Sequence, residues 1–373
     1  MQWWLVTRHA DVMAVLGDHR FSAARIGTDL SWLPDDALAT AGPVYRALAR
    51  QILFLDPPDH TRIRALVNKA FTPRRVEIMR AHIQDLVNGL LDEAVARGSL
   101  DVIADLAYPL PTIVIADMLG VPRENREQFK RASDDLAAFL GNVVSADQIG
   151  RLLRSVAELL QYFQHLVAER RAQPRDDLMN ALIAAEEQGD VLSEDELFAN
   201  CLLLLAAGHE TTTNLIGNGT LALLRKPAAR QQLAEQLAIG SGLTTAGVNE
   251  LLRYDSPVQY TGRVPTEDVV LAGTPIAKGQ HVTILLGAAN RDPAQFPDPD
   301  RLDLRRGENR HLAFGYGIHF CVGAPLARLE GQIAISTLFR RFPELQLATE
   351  SVEWHANMSF HGVKALPVQF SLD

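Results

Sequence analysis

Hydrophobic and polar residues alternate with a helical period along most of this chain. Trp3-Trp4-Leu5-Val6-Thr7 is the first exception, a run of aromatic and β-branched residues that predicts a short strand. HADVMAVLGD then predicts a helix ending at Gly17. Residues 27–55 show no clean period and read as loop with short helical turns. Pro57-Pro58-Asp59 opens a helix toward Ala70, and Thr72-Pro73 opens another toward Ala96. Apolar spacing predicts further helices at about 109–119, 123–140, 147–171, 177–187, 193–224 and 245–254. Ser193 and Glu196 form a capping box at the start of the longest one, which would be a rod of ~46 Å. After Ser256 the pattern shifts to β-branched runs broken by Gly and Pro, which predict short strands and turns. Residues 291–323 are Pro- and Gly-rich and aperiodic, and a loop that long in a compact domain is usually functional. APLARLEGQIAISTLFRRF is a helix, followed by short C-terminal strands. The expectation is one mainly α domain over residues 1–373 with a small β portion.

Composition narrows the possible functions. Of the residues, 47% are hydrophobic and 22% charged, which excludes a disordered or collagen-like chain. The net charge of −9 argues against nucleic acid as a partner, since phosphate binding needs a basic surface. Two cysteines, Cys201 and Cys321, cannot make a disulfide framework and fit a reducing compartment. The longest apolar stretch, 201–207, is far short of the ~20 residues that a membrane helix needs. With no targeting pattern at the N-terminus, a cytoplasmic protein is expected.

The chemistry centres on Phe314-Gly315-Tyr316-Gly317-Ile318-His319-Phe320-Cys321-Val322-Gly323. Three glycines permit tight turns around one cysteine, which sits just before a helix N-terminus where the dipole favours a thiolate. Such a loop suits an iron ligand. Without that context an inert buried cysteine would be the better reading, as it is for Cys201. The ten residues resemble the haem-binding signature of the cytochrome P-450 family, Phe-Gly-x-Gly-x-[His/Arg]-x-Cys-x-Gly. Three more of the family's motifs follow the expected order, and the resemblance spans essentially the whole chain.

Ala207-Gly208-His209-Glu210-Thr211 lies inside the long helix, where a glycine costs roughly 1 kcal/mol relative to alanine. One reason for it is close approach of a flat ligand. An adjacent acid and alcohol can relay protons, although on its own the stretch could be a solvated face. His209 is expected to point away. Glu250 and Arg253 share a helix face at i,i+3. His60 and Arg64 share one at i,i+4 and, lacking context, read as a basic surface.

The resemblance implies the P-450 fold, with a long central helix over a haem and a β-rich side. It implies a heme b group with Cys321 as axial ligand. Haem contacts are implied at His60, Arg64, Ala207, Gly208, Arg263, Phe314, His319 and Gly323, and catalytic proton delivery at Glu210 and Thr211. Glu250 and Arg253 would join a meander arginine, matched here by Arg301, to hold the cysteine loop. Substrate contacts are expected from residues 27–55, 133–147, 258–261 and 358–361, with Leu203, Ala206, Val258, Gln259 and Phe360 as candidate pocket residues. Their apolar character suggests a lipid, terpenoid, steroid or polyketide-like molecule.

The activity implied is insertion of one atom of O2 into such a molecule. Oxidative coupling, peroxide-driven oxidation and non-catalytic ligand binding are the alternatives. No nucleotide-binding motif is present, so electrons are expected from a separate ferredoxin and its NAD(P)H-dependent reductase. A basic docking patch is expected at Arg62, Arg74, Arg75, Arg306 and Arg328. One departure stands out: the family has a first helix ahead of the strand matched at Trp3, so the expectation is either that this helix is short or missing or that the start at Met1 is misassigned.

Overall fold

A computed structural model describes residues 3–25, 42, 44–141, 146–187 and 190–371. Parts of two expected substrate-contact segments, 26–41 with 43 and 142–145, lie outside the described residues.

The longest helix organises the rest. It runs Glu194–Arg225, and its capping box forms as the sequence suggests. The Ser193 hydroxyl accepts from the Glu196 amide at 3.3 Å, and the Ser193 amide donates back to the Glu196 carboxylate at 2.9 Å. Two orphan N–H groups are thereby satisfied. Most of this helix is buried, so its rim belongs to other elements rather than to solvent. Those elements are the helices Pro109–Met118, Arg126–Gly141 and Ala324–Arg341.

A second, smaller core lies under the β-rich side. Strand β1, Trp3–Val6, runs parallel to His281–Leu285, which pairs antiparallel with Tyr260–Pro265; Phe21–Ser22 closes the far edge. Val6, Val12, Val15, Val282 and Ile284 fill that core. Alternation along Tyr260–Pro265 buries Arg263 on the inner side, as a strand's period of two dictates.

The helices at His9–Gly17, Asp59–Ala70 and Thr245–Tyr254 match their expected spans. The helix expected over 177–187 stops at Ile183, because Glu186–Glu187 turns into a hairpin with Asp190–Val191. A helix at Pro227–Ala238 escapes the hydrophobic period. Proline at its first position lets it start almost directly after Arg225. The expected start at 123 is a single 3-10 turn, Arg123–Asn125, before the α-helix begins at Arg126.

No helix among the described residues is long and apolar enough to cross a membrane.

One buried ion pair ties three of these helical segments. Arg170 is 1% exposed; its guanidinium donates to Asp177 at 2.6 Å and to the Gly120 carbonyl at 2.8 Å. Asp177 also caps the next helix by accepting from the Asn180 amide at 2.8 Å. Asp177→Ala should therefore cost on the order of 2–3 kcal/mol, because it leaves buried Arg170 with only the partly exposed Glu169 at 3.0 Å and removes a cap. Asp177→Asn, which keeps the cap, should cost less. Urea unfolding midpoints measure both, and equal losses would show that the charge contributes nothing.

Candidate functional site

The loop that carries Cys321 is built from its glycines outward. Gly315 and Gly317 both have φ of +72°, a backbone that residues with a Cβ rarely adopt. At Gly317 a Cβ would also stand 2.8 Å from the Leu16 carbonyl, so this turn packs directly on the first helix. The Cys321 amide donates to the Phe314 carbonyl at 2.9 Å and closes the loop. The helix Ala324–Arg341 then starts three residues on.

Cys321 is exposed by accessible surface, yet burial pushes its thiol pKa up. Both statements hold for a sulfur that faces a hollow inside the molecule. The Gly323 and Ala324 amides bond the sulfur, and the charges of Arg64 and Arg328 act on it; all of these oppose the burial effect and favour the thiolate.

The central helix presents a similar combination. Ala207 is exposed between buried Ala206 and half-buried Gly208, in the middle of an otherwise covered rod. A Cβ on Gly208 would meet Ile115 at 3.8 Å, ordinary contact, so protein packing alone does not require glycine there. The Thr211 hydroxyl donates to the Ala207 carbonyl at 2.7 Å, one turn back. Burial raises the Glu210 pKa, and Asn214 donates to its carboxylate at 3.3 Å. His209 points away, as expected. It is fully buried, with Nδ1 3.0 Å from the Ser133 hydroxyl and its ring edge-on to Tyr108 at 4.4 Å. Burial, with the Lys130 charge, lowers its pKa to about 4, so this imidazole is neutral at pH 7.

His60, Arg64, Arg263 and His319 come together although they are far apart in sequence. The His60 and His319 rings stand 4.2 Å apart, and Arg64 donates to the Phe320 carbonyl at 2.7 Å. Burial and the charge of Arg263, then those of His60, Arg25 and Arg64, lower the His319 pKa to about 3. Neither ring nitrogen of buried His60 has a partner among the described residues. A cluster of donors with orphaned nitrogens, next to a sulfur facing a hollow, fits a flat group that bears anionic carboxylates and takes an axial thiolate.

The Glu250 cluster corrects one expectation. Glu250 and Arg253 are both fully buried and paired at 2.8 Å. The meander arginine on Glu250 is Arg306, with 3.1 Å to each carboxylate oxygen. Arg301 is 64% exposed and pairs with Asp303 at 3.2 Å; only its carbonyl reaches the cluster, accepting from Arg253 and Arg306. In an aperiodic stretch, sequence spacing cannot show which of two nearby arginines turns inward.

The expected docking patch changes with it. Arg306 is buried in the cluster, Arg62 is paired with Glu196, and Arg75 with Asp176. Arg328 bonds Asn249 at 2.8 Å and lies over the Phe314 ring. Of the five, Arg74 is exposed.

In the candidate pocket, Leu203, Ala206 and Phe360 are buried. Val258 bridges to Phe360. Gln259 is half-buried, and its side-chain amide donates one hydrogen to the Ser256 carbonyl at 2.7 Å.

The sequence profile described as Cytochrome P450 matches residues 34–369. The chain belongs to the cytochrome P450 family. A relative from Priestia megaterium, Cytochrome P450 CYP107DY1, is 42% identical, the alignment covering 98% of this chain and 89% of that one. A Bacillus subtilis relative named Polyketide biosynthesis cytochrome P450 PksS is 39% identical over 99% of this chain and 89% of its own. Among solved structures, P450BioI in complex with a hexadec-9Z-enoic acid ligated acyl carrier protein superposes with a TM-score of 0.90 at 38% identity, covering 99% of this chain and 91% of that one. The P450 fold, an oxidoreductase class and a haem-thiolate family follow for this chain.

Arg306→Ala should destabilise the protein by about 2 kcal/mol, because it removes two charge-assisted bonds from a buried carboxylate, whereas Arg301→Ala should stay within about 0.5 kcal/mol. Unfolding midpoints of the two variants decide between them; the reverse order would restore Arg301 to the cluster.

Proposed function

We propose that this P450 is a monooxygenase that inserts one oxygen atom from O2 into an apolar acyl- or polyketide-like molecule. In this reading Cys321 would hold heme b, and a separate ferredoxin with its NAD(P)H-dependent reductase would supply the electrons. The observation that carries the reading is the Cys321 sulfur on its glycine-framed loop, facing an interior hollow beside a cationic cluster. When bound, the haem supplies the iron centre at which dioxygen is activated and from which oxygen is transferred.

The chain's own residues prepare for that chemistry. The amides of Gly323 and Ala324 bond the Cys321 sulfur and oppose the upward pull of burial on its pKa, which favours the thiolate. His60, Arg64, Arg263 and His319 supply donors for the two haem carboxylates, and His60 gains the partner it lacks. Burial holds the Glu210 carboxyl toward its protonated form, which suits a proton donor, and Asn214 orients it. Thr211 commits its hydroxyl hydrogen to the Ala207 carbonyl, which leaves its oxygen lone pairs to accept a hydrogen bond from a donor in the site. Leu203, Ala206 and Phe360 offer an apolar lining. The acyl and polyketide chemistry named for P450BioI and PksS supports the substrate class.

With surrogate ferredoxin, reductase, NADPH and isotopically labelled dioxygen, a fatty-acyl or polyketide substrate should gain one labelled oxygen per molecule. NADPH consumption indifferent to every such molecule, with no label incorporated, would overturn the reading. Thr211→Ala should keep haem and substrate affinity while releasing several-fold more hydrogen peroxide per product. An unchanged ratio would reduce Thr211 to a residue that merely bonds to the preceding turn.

A further inference from the structure

Arg25 follows the edge strand Phe21–Ser22, far in sequence from every motif, and it reaches the same cationic cluster. Its Nη1 donates to the Ala23 carbonyl at 3.3 Å and to the Gly262 carbonyl at 3.4 Å, both long bonds. Arg263 Nη1 donates to that same Gly262 oxygen at 2.8 Å. Two guanidinium groups therefore converge on one neutral acceptor. The Arg25 guanidinium also lies over the Phe54 ring, 4.7 Å from its centre, which fixes its plane without neutralising it.

Among the described residues one carboxylate, Asp56, acts on Arg263, and none acts on Arg25. Asp56 is the carboxylate that acts on Arg263 and His60, and it is already taken by the Ser22 hydroxyl and by the Ala23 amide at 2.8 Å. Burial, then the neighbouring Arg263 charge, draws the Arg25 pKa down to about 10, and burial lowers that of Arg263 too. Like Cys321, Arg25 is only half-buried by area although burial dominates its titration, so its remaining donors face the interior hollow. Two guanidinium charges withdrawn from water against one carboxylate leave a net positive charge that a further anion would compensate.

We infer that Arg25 is a further carboxylate-binding residue of this site, and that with Arg263 it clamps one of the two haem carboxylates. The inference rests on the haem reading above. The haem is favoured over a substrate carboxylate because Arg25 shares its acceptor with Arg263 and acts on His319, which follows the cysteine loop's glycines. The clamp would join the first residues after the edge strand, the Tyr260–Pro265 strand and the cofactor. Haem retention would then depend on a side chain outside the four motifs.

The test uses the purified holoprotein and measures the rate of haem transfer to excess apomyoglobin. Arg25→Gln should lose haem about tenfold faster than wild type, the loss of one charge-assisted bond. Arg25→Lys should lie close to wild type. Protein reconstituted with haem dimethyl ester, whose carboxylates carry no charge, keeps the readout clear of folding effects. There wild type should lose haem as fast as the variant, and Arg25→Gln should add little. A second arm compares binding of myristate and of myristyl alcohol by Soret shift, and their ratio should not change in Arg25→Gln. Equal haem loss from wild type and Arg25→Gln would overturn the clamp. A change confined to the myristate-to-alcohol ratio would overturn it in favour of a substrate anion. Wild-type protein that holds no haem would instead overturn the reading on which the clamp depends.

Discussion

A single buried carboxylate, Glu250, holds the cysteine loop in register with the helices. It is fully buried, and it accepts from Arg253, Arg306, the Asn309 side chain and the Asp303 amide. Arg253 passes the constraint on, donating to the Asn290, Pro299 and Arg301 carbonyls. The meander from about 291 to 312 has almost no regular structure, so these bonds replace the ladder that a sheet or helix would provide. Removing Glu250 would leave the fully buried Arg253 without its carboxylate, which is why the cluster depends on this one group. Cys321 sits only nine residues after Leu312, whose amide is fixed by the Asn290 side chain at 2.6 Å.

A second constraint is the hollow that this scaffold surrounds. Cys321 and Ala207 are exposed, while His60 and Arg263 are buried beside unpartnered or like-charged groups. Closing such a space with apolar side chains would be cheaper than lining it with imidazoles and guanidiniums. The chain keeps the space open and keeps it cationic on one side. That is the arrangement expected of a protein whose stable state includes a flat, dicarboxylate-bearing group. Glu210 and Thr211 lie on the central helix, whose own stability comes from its cap and its buried faces.

Much of this was legible in the sequence, for identifiable physical reasons. The helix starts at Ser193, Thr72 and Thr244 carry side-chain caps, and their bounds match the apolar period closely. The glycine-framed cysteine loop is local chemistry, so ten residues are enough to expose it. His209 turned away because an imidazole next to the acid found Ser133 on a neighbouring helix. What escaped depends on long-range packing. Arg306 and Arg301 differ by five positions in a stretch with no period, and only the fold decides which meets Glu250. Arg25 belongs to the cluster through Gly262, more than two hundred residues later in the chain. Free basic residues for a docking face were over-counted, because an arginine's partner is seldom its sequence neighbour.

The central claim is that Cys321 is the thiolate under a haem, and the absorbance of the reduced, carbon monoxide-bound protein tests it most directly. Wild type should show the strongly red-shifted Soret band of thiolate ligation. Cys321→His should still hold haem and lose that band. A Cys321→His protein that kept the red-shifted band would contradict the account.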